Sequence, residues 1–113
     1  RGFSFCPIHL DYRLESQPET DIIYCFTAIA KEGLSNIIRH SSATQVTLKL
    51  LEHPALYQLI LEDNGSQATG EVTYGLGLRS MTDRVEALGG HLSIGRQNGF
   101  KLFISIPKGE RST

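Results

Sequence analysis

The sequence lacks the features of several protein classes. No apolar run approaches the ~20 residues that a membrane-spanning helix needs, and no signal-peptide pattern follows Arg1. No run of like charges occurs, and 11 Lys and Arg residues against 12 Asp and Glu residues give a formal net charge of -1. The charge pattern therefore gives no sign of a basic surface that would bind the phosphate backbone of a nucleic acid. We expect no membrane contact by this segment and no nucleic-acid partner.

Cysteine is also scarce. Cys6 and Cys25 are isolated and have no metal-ligand spacing, so we interpret them as buried or idle thiols, as in proteins of a reducing compartment. We predict a cytoplasmic location. His9, His53 and His91 share no metal spacing either and are interpreted as surface or packing histidines.

The length of the chain bounds its organisation. At 113 residues and 40% hydrophobic content, residues 1–113 are expected to form one domain with a single core. The chain begins "RGFSF" without methionine, and we expect it to be a segment of a longer protein. The polar tail "KGERST", residues 108–113, is expected to fray.

Hydrophobic periodicity predicts the first half of the fold. Residues 3–13 partly alternate, and Pro7 indicates that this strand lies at a sheet edge. Apolar residues then recur at helical spacing from Ile22 to Ile38, which predicts one long helix over residues 19–41. The segments "QVTLKLLE" and "LYQLILED" alternate on either side of His53-Pro54 and predict a pair of strands.

The second half turns polar before a further helix. Residues 63–77 are rich in glycine and poor in core residues, which predicts a loop. The segment "LRSMTDRVEAL" predicts a helix that ends at Gly89-Gly90, with Leu78, Met81, Val85 and Leu88 on one face. "HLSIG" and "FKLFISIP" predict two strands joined by "RQNG". This order predicts an α/β fold, a two-layer sandwich with a mixed sheet of about five strands and helices on one face.

Two groups of residues indicate a ligand site. Glu32, Asn36 and His40 follow one another at intervals of four, so that a helix stacks them along one edge. Gly75 and Gly77 come directly before the second helix, whose free amides and positive dipole end favour an anion. On their own, these patterns also fit a mid-helix asparagine bonded to a loop and a glycine-rich cap without a ligand.

The combination of motifs resembles a known family. "KEGLSNIIRHS", "EDNG", "YGLGLRSMTDRVEALGGHLSI" and "NGFKLFISIP", in this order, are similar to the ATP-binding catalytic domain of sensor histidine kinases, which has the Bergerat fold. The motif style resembles the nitrate-sensor and desaturase-regulator group. The similarity covers about residues 19–107. Each motif alone is weak, and the specificity lies in the set.

The resemblance implies roles for the residues on the first helix. Asn36 would hold the magnesium ion of Mg-ATP, for which an amide oxygen is a suitable hard ligand. Arg39 and His40 match positions that reach the phosphates and cover the adenine face, although a solvated arginine and a packing histidine fit the residues equally well. Glu32 would act indirectly through the magnesium shell, and an exposed structural glutamate is the alternative.

The resemblance also implies roles for the residues beyond that helix. Asp63 would accept a hydrogen bond from the adenine amino group, with Gly65 in the turn that follows it. The phosphates would bind where the second helix begins, at Gly75, Leu76, Gly77 and Leu78. The loop "SQATGEVTY" would be a short lid.

Three residues depart from the family pattern. Gln67 stands where a second glycine is usual, Phe100 stands where a hydroxyl residue is common, and Gly33 stands where alanine is usual. Gln67 and Phe100 leave open a degenerate, non-catalytic interaction domain. An ATPase or an anti-sigma serine kinase of the same fold is a further alternative.

The resemblance implies partners outside this chain. None of the four histidines lies in the phosphoacceptor context of the family, a histidine followed by an acid on a dimerising helix. We therefore expect an upstream dimerisation and phosphotransfer domain, a response regulator that takes the phosphate, and a monomeric isolated domain. Whether the full-length protein is anchored in a membrane is left open.

Overall fold

The computed structural model describes residues 8–40, 45–65, 78–95, 99 and 101–108. For residues 8, 36–40 and 78 it describes the backbone alone. In this part of the chain no helix is long and apolar enough to cross a membrane. The predicted lid and the polar tail from residue 109 onward lie outside the described residues.

The described ranges contain five strands and two helices in the predicted order. The bounds are β1 (Ile8–Arg13), α1 (Thr20–His40), β2 (Val46–Glu52), β3 (Leu56–Asp63), α2 (Leu78–Glu86), β4 (His91–Gly95) and β5 (Lys101–Pro107). Apart from the start of β1, the periodicity located the bounds of these elements to within about two residues, which is the usual uncertainty at helix ends. Residues 3–7 of the predicted first strand lie outside the described residues.

The strands form one mixed sheet in the order β1-β2-β3-β5-β4. Strand β1 pairs parallel to β2, and the other neighbouring pairs are antiparallel. A parallel pair requires a crossover, which α1 supplies. The predicted position of the first strand at a sheet edge is confirmed, since among the described strands β1 pairs with β2 alone. The α/β fold class with a mixed five-stranded sheet is confirmed as well.

The core lies between one face of the sheet and the two helices. Alternate residues of the central strands β3 and β5 are buried, as the period of two along a strand requires. Both helices add apolar side chains to the same cluster, so they cover the same face. The buried apolar residues are Ile22, Cys25, Phe26, Ile29, Val46, Tyr57, Leu59, Leu61, Met81, Val85, Leu102, Ile104 and Ile106.

The cysteine and the histidines to which the sequence analysis assigned no functional role lie in the core or at the surface. Cys25 is buried in the core, and this burial raises the pKa of its thiol. His9, His53 and His91 are exposed at the surface. Cys6 lies outside the described residues.

Gly33 brings α1 close to the sheet. A Cβ atom at this position would collide with Cδ2 of Leu61 and lie 3.9 Å from Cδ2 of Leu102. Leu61 is fully buried, so it has little space into which to move. The helix-propensity cost of glycine, about 1 kcal/mol, is therefore offset by close packing. This gives a physical reason for one of the three departures from the family pattern.

The end of α2 is fixed by the two glycines that follow it. The Gly90 amide donates to the Val85 carbonyl at 3.0 Å, and the Gly89 amide donates to the Glu86 carbonyl at 2.9 Å. Gly89 has a φ of 78°, as expected for the residue that ends a helix in this pair of bonds. The prediction that Gly89-Gly90 stops the helix is confirmed.

A cluster around Glu52 ties three segments together at one end of the sheet. The Glu52 carboxylate accepts hydrogen bonds from the backbone amides of Glu15 at 2.6 Å and Ser16 at 2.9 Å. It also accepts from the Ser16 hydroxyl at 2.8 Å and from Lys108 Nζ at 2.7 Å. Lys108 Nζ lies 5.2 Å from the centre of the Tyr57 ring. The β1–α1 connection, β2 and the end of β5 are thereby joined through one side chain.

These contacts stabilise the charged form of Glu52. The hydrogen bond from Lys108 is the largest cause, followed by the bonds from Ser16, and together they lower the pKa of Glu52 from 4.5 to about 2. In return, the Glu52 carboxylate raises the pKa of Lys108. A carboxyl group with a depressed pKa in the folded state stabilises the fold above its unfolded pKa, and it loses that contribution as the pH falls.

We predict that Glu52→Gln lowers the free energy of unfolding at pH 7. The difference from the unmutated chain should shrink as the pH falls from about 4.5 toward 2, because protonation then removes the same charge from the unmutated chain. Urea unfolding at a series of pH values measures this. Glu86→Gln, at an exposed position on α2, is the control. A difference that stays constant over this pH range would contradict the proposed role of the Glu52 charge.

Candidate functional site

The topology brings three predicted site segments to one end of the sheet. Helix α1 follows a parallel crossover, so it runs antiparallel to β1 and β2 and in the same direction as β3. Its C-terminal half therefore lies toward the end of β3, where Gly33 contacts Leu61. Asp63 is two residues beyond Leu61 and is the last residue of β3.

Helix α2 runs antiparallel to α1. Gly89 and Gly90, which follow α2, lie against Pro107 and Ser105 of β5, and Pro107 pairs with Leu56, where β3 begins. Helix α2 therefore ends at the end of the sheet where α1 begins. The N-terminus of α2 consequently points toward the same end of the sheet as the C-terminal half of α1. The start of α2, the last turns of α1 and the end of β3 thus lie toward the same end of the sheet.

Glu32 lines a groove between the two helices. The groove has a volume of about 460 Å³, and its lining consists of Ala28, Ile29, Lys31, Glu32, Ser80, Met81 and Arg84. Glu32 is half-buried, so its carboxylate lies in a partly enclosed space with two cationic side chains. The row of polar residues continues one turn later along the same helix, because α1 is unbroken to His40.

The other predicted residues of α1 are placed by their backbone alone. Asn36, Arg39 and His40 lie in the last two turns of α1, at the end of the helix that is nearest to Asp63. Leu78 is the first residue of α2. Gly75, Leu76, Gly77, Gln67 and Phe100 lie outside the described residues.

Asp63 is buried at the mouth of the sheet. The residue is only 6% exposed and is the one buried charged residue in the part of the chain that the structure describes. Its Oδ1 atom accepts a hydrogen bond from the Gly65 amide at 2.7 Å. This bond closes the turn that was predicted for Asp63, Asn64 and Gly65, and it fixes the orientation of the carboxylate.

Asn64 anchors the same turn to the start of β2. Its side-chain Oδ1 atom accepts a hydrogen bond from the backbone amide of Gln45 at 3.0 Å. Its backbone amide donates to the backbone carbonyl of Gln45 at 3.3 Å. The sequence analysis assigned Asn64 only to the turn and did not find this contact. The signal was present, since asparagine in a turn often bonds to nearby backbone, but its partner lies far away in sequence.

Comparison with known proteins identifies the family. The histidine-protein kinase/phosphatase UhpB of Salmonella typhimurium is 36% identical over 103 residues, covering 88% of this chain and 20% of UhpB. The nitrate/nitrite sensor protein NarX of Escherichia coli is 31% identical over 97 residues, covering 80% of this chain and 16% of NarX. This chain belongs to the sensor histidine kinase family. The resemblance found in the sequence motifs is thereby confirmed, whereas no family model matches the chain.

Solved histidine kinase structures share the fold of this kinase segment. The histidine kinase domain of the blue-light-activated kinase EL346 of Erythrobacter litoralis has a TM-score of 0.72 at 20% identity, covering 89% of this chain and 52% of that one. The catalytic domain of histidine kinase ThkA has a TM-score of 0.68 at 17% identity, covering 89% and 78%. The segment spans about one fifth of the length of the first curated relatives that it matches.

We predict that Asp63→Asn folds with nearly the stability of the unmutated kinase segment. The amide keeps an oxygen that can accept from the Gly65 amide. Asp63→Ala removes this acceptor and should cost about 1–3 kcal/mol, because a buried donor loses its partner. Urea unfolding of the three proteins measures the difference. Equal stability of the asparagine and alanine variants would contradict the turn-closing role of the side chain.

Proposed function

We propose that this segment binds Mg-ATP and delivers the γ-phosphoryl group to a histidine on a separate dimerisation domain. The observation that carries the proposal is the buried Asp63, oriented by the Gly65 amide at the end of β3, in a chain with the family membership and fold described above. Catalysis would consist mainly of positioning and charge neutralisation. No observation favours a serine kinase, an ATPase or a degenerate domain.

Adenine selection is assigned to Asp63. A carboxylate accepts a hydrogen bond from the amino group of adenine, but at the same place guanine presents a carbonyl oxygen, and two acceptors repel. The burial of Asp63 strengthens this discrimination, because a buried polar group without its partner costs about 1–3 kcal/mol and more when it is charged.

The phosphates are assigned to the converging helix ends. Helix α2, which begins at Leu78, would offer the positive end of its dipole to the phosphate oxygens, and Gly75, Leu76 and Gly77 before it would add backbone amides. Arg39 at the end of α1 would add a fixed positive charge, and His40 would cover the adenine ring. The antiparallel arrangement of α1 and α2 supports this assignment, since the end of α1 and the start of α2 then lie toward the same end of the sheet.

Magnesium is assigned to Asn36, with Glu32 one turn earlier acting through the water shell of the ion. When bound, magnesium would neutralise charge on the phosphates. The donor set fits the ion: the amide and the carboxylate are hard oxygen donors, and magnesium usually takes only one or two protein ligands beside phosphates and waters. Among the described residues no cluster of three or more His, Cys, Asp or Glu side chains could hold a metal ion without ligands from phosphates and waters.

The partners and location follow from this function. The acceptor histidine would belong to a dimerisation and phosphotransfer domain elsewhere in the full-length protein, and a response regulator would receive the phosphate. The segment itself would act as one monomeric domain over residues 1–113, on the cytoplasmic side where ATP is available.

We predict that the segment binds ADP at least tenfold more tightly than GDP, a ratio that corresponds to about 1.4 kcal/mol. Asp63→Asn should reduce or abolish this preference, because an amide can also donate to the guanine carbonyl. Calorimetric titration with both nucleotides, with and without magnesium, measures the ratio. Equal affinities in the unmutated segment, or no binding of either nucleotide at millimolar concentration, would overturn the proposed function.

We predict that Asn36→Ala loses phosphotransfer in the full-length protein but keeps part of its nucleotide binding. The expected reason is that Asn36 holds the metal while Asp63 holds the base. Titration of the segment with ADP should show a large loss of affinity in the presence of magnesium and a small loss in EDTA. Ser35→Ala, at the neighbouring half-buried position, is the control. Equal losses with and without magnesium would contradict this division of roles.

A further inference from the structure

Gly99 lies directly against the backbone of Asp63. A Cβ atom at residue 99 would collide with the main-chain oxygen of Asp63, and it would lie 3.1 Å from the carbonyl carbon of Asp63 and 3.2 Å from Cα of Asn64. All three neighbours are backbone atoms, which cannot turn aside as the end of a flexible side chain can. The contact follows from the sheet register: Glu62 pairs with Lys101, so the chain just before β5 passes beside the end of β3.

The backbone conformation of Gly99 also excludes other residues. Its φ of 114° lies in a region that residues with a side chain rarely adopt. Two independent restrictions, one conformational and one steric, therefore apply at this position. The sequence analysis placed Gly99 in the turn "RQNG" and in the motif "NGFKLFISIP", and the strand pairing gives it a further role.

We propose that Gly99 is a positioning residue for base selection, which it controls by allowing the backbone of Asp63 to take the position from which its carboxylate meets the base. This inference rests on the proposed function. A side chain at residue 99 would have to push the two segments apart by roughly 1 Å to reach an ordinary carbon–oxygen contact of about 3.3 Å. A displacement of that size is enough to disrupt a directional hydrogen bond.

The displacement would act on Asp63 through its backbone and not through its charge. The Gly65 amide donates a hydrogen bond to Oδ1 of Asp63, and the Gln45 amide donates one to Oδ1 of Asn64. The turn of residues 63–65 would therefore move as a unit or lose these hydrogen bonds. Either result separates the carboxylate from the amino group of adenine. The repulsion of guanine, which depends on the exact placement of the same oxygen atoms, would weaken as well.

The test is the ratio of ADP to GDP affinity in Gly99→Ala. We expect this ratio to fall at least threefold relative to the unmutated segment. In the Asp63→Asn background the same substitution should change the ratio by less than twofold, because the group through which Gly99 acts is already altered.

Two other glycines provide matched controls. Gly89 has a positive φ of 78°, but its nearest neighbour for a Cβ atom is Cγ of Pro107 at 3.6 Å, an ordinary contact at the other end of the sheet. Gly89→Ala should lower the melting temperature and leave the affinity ratio unchanged. A Cβ atom at Gly95 would meet Cβ of Lys101 at 3.9 Å, an ordinary contact. Gly95→Ala should therefore leave the melting temperature and the affinity ratio nearly unchanged.

The outcomes separate this inference from the proposed function. If the unmutated segment prefers ADP and Gly99→Ala keeps the full preference, the inference is overturned while the proposed function stands. A lowered ratio in Gly89→Ala equal to that in Gly99→Ala would also overturn it, since backbone strain alone would then explain the effect. If the unmutated segment has no preference, both the proposed function and the inference fail.

A second measurement applies if Gly99→Ala does not fold. In the unmutated segment, ADP should shift the α-proton resonances of Gly99 in the NMR spectrum, because one of these protons points at the Asp63 carbonyl oxygen. The shift should be at least halved when ADP is added to the Asp63→Asn variant at saturation. Gly99 resonances that do not move with ADP, or that move equally in both proteins, would overturn the inference.

Discussion

The close approach of α1 to the sheet at Gly33 sets the height of the helix above β3. A larger residue there would meet the buried side chain of Leu61, and a helix lifted by that contact would carry its last two turns away from the sheet. Since Leu61 lies two residues before Asp63, this contact lies close to the last turns of α1 and to the end of β3. The candidate site depends on how tightly the helix and the sheet pack.

The sheet separates the features that stabilise the fold from those assigned to the ligand. The Glu52 cluster lies where β2 ends and β3 begins, whereas Asp63 pairs with the first residue of β2 at the other end. Between them the central strands bury one face without interruption, with Leu59, Leu61 and Ile104 no more than 1% exposed. Changes at the Glu52 end can therefore alter stability without touching the groups assigned to the nucleotide.

Local patterns in the sequence predicted the elements, since a period of two or of 3.6 is a property of neighbouring residues. The bounds of β3, β4 and α2 followed from such patterns. Asp63 was placed at the end of β3 because the motif "EDNG" follows the alternating residues of that strand. The bonds of Glu52 to Ser16 and Lys108, the bond of Asn64 to Gln45 and the contact of Gly99 with Asp63 were not found. Each of these contacts depends on which strands become neighbours. The order β1-β2-β3-β5-β4 cannot be predicted from the pattern of any local segment of the chain.

The contact between Gly99 and Asp63 also has a consequence for the order of folding. Residues 66–77, α2 and β4 all lie between these two residues in the chain, and closing so long a connection is slower than forming a hairpin such as β2–β3. The turn at Asp63 can form early, but its neighbour arrives only when β5 has docked beside β3. A chain interrupted before β5 could still make the β2–β3 hairpin, yet the segment that packs against the backbone of Asp63 would be missing.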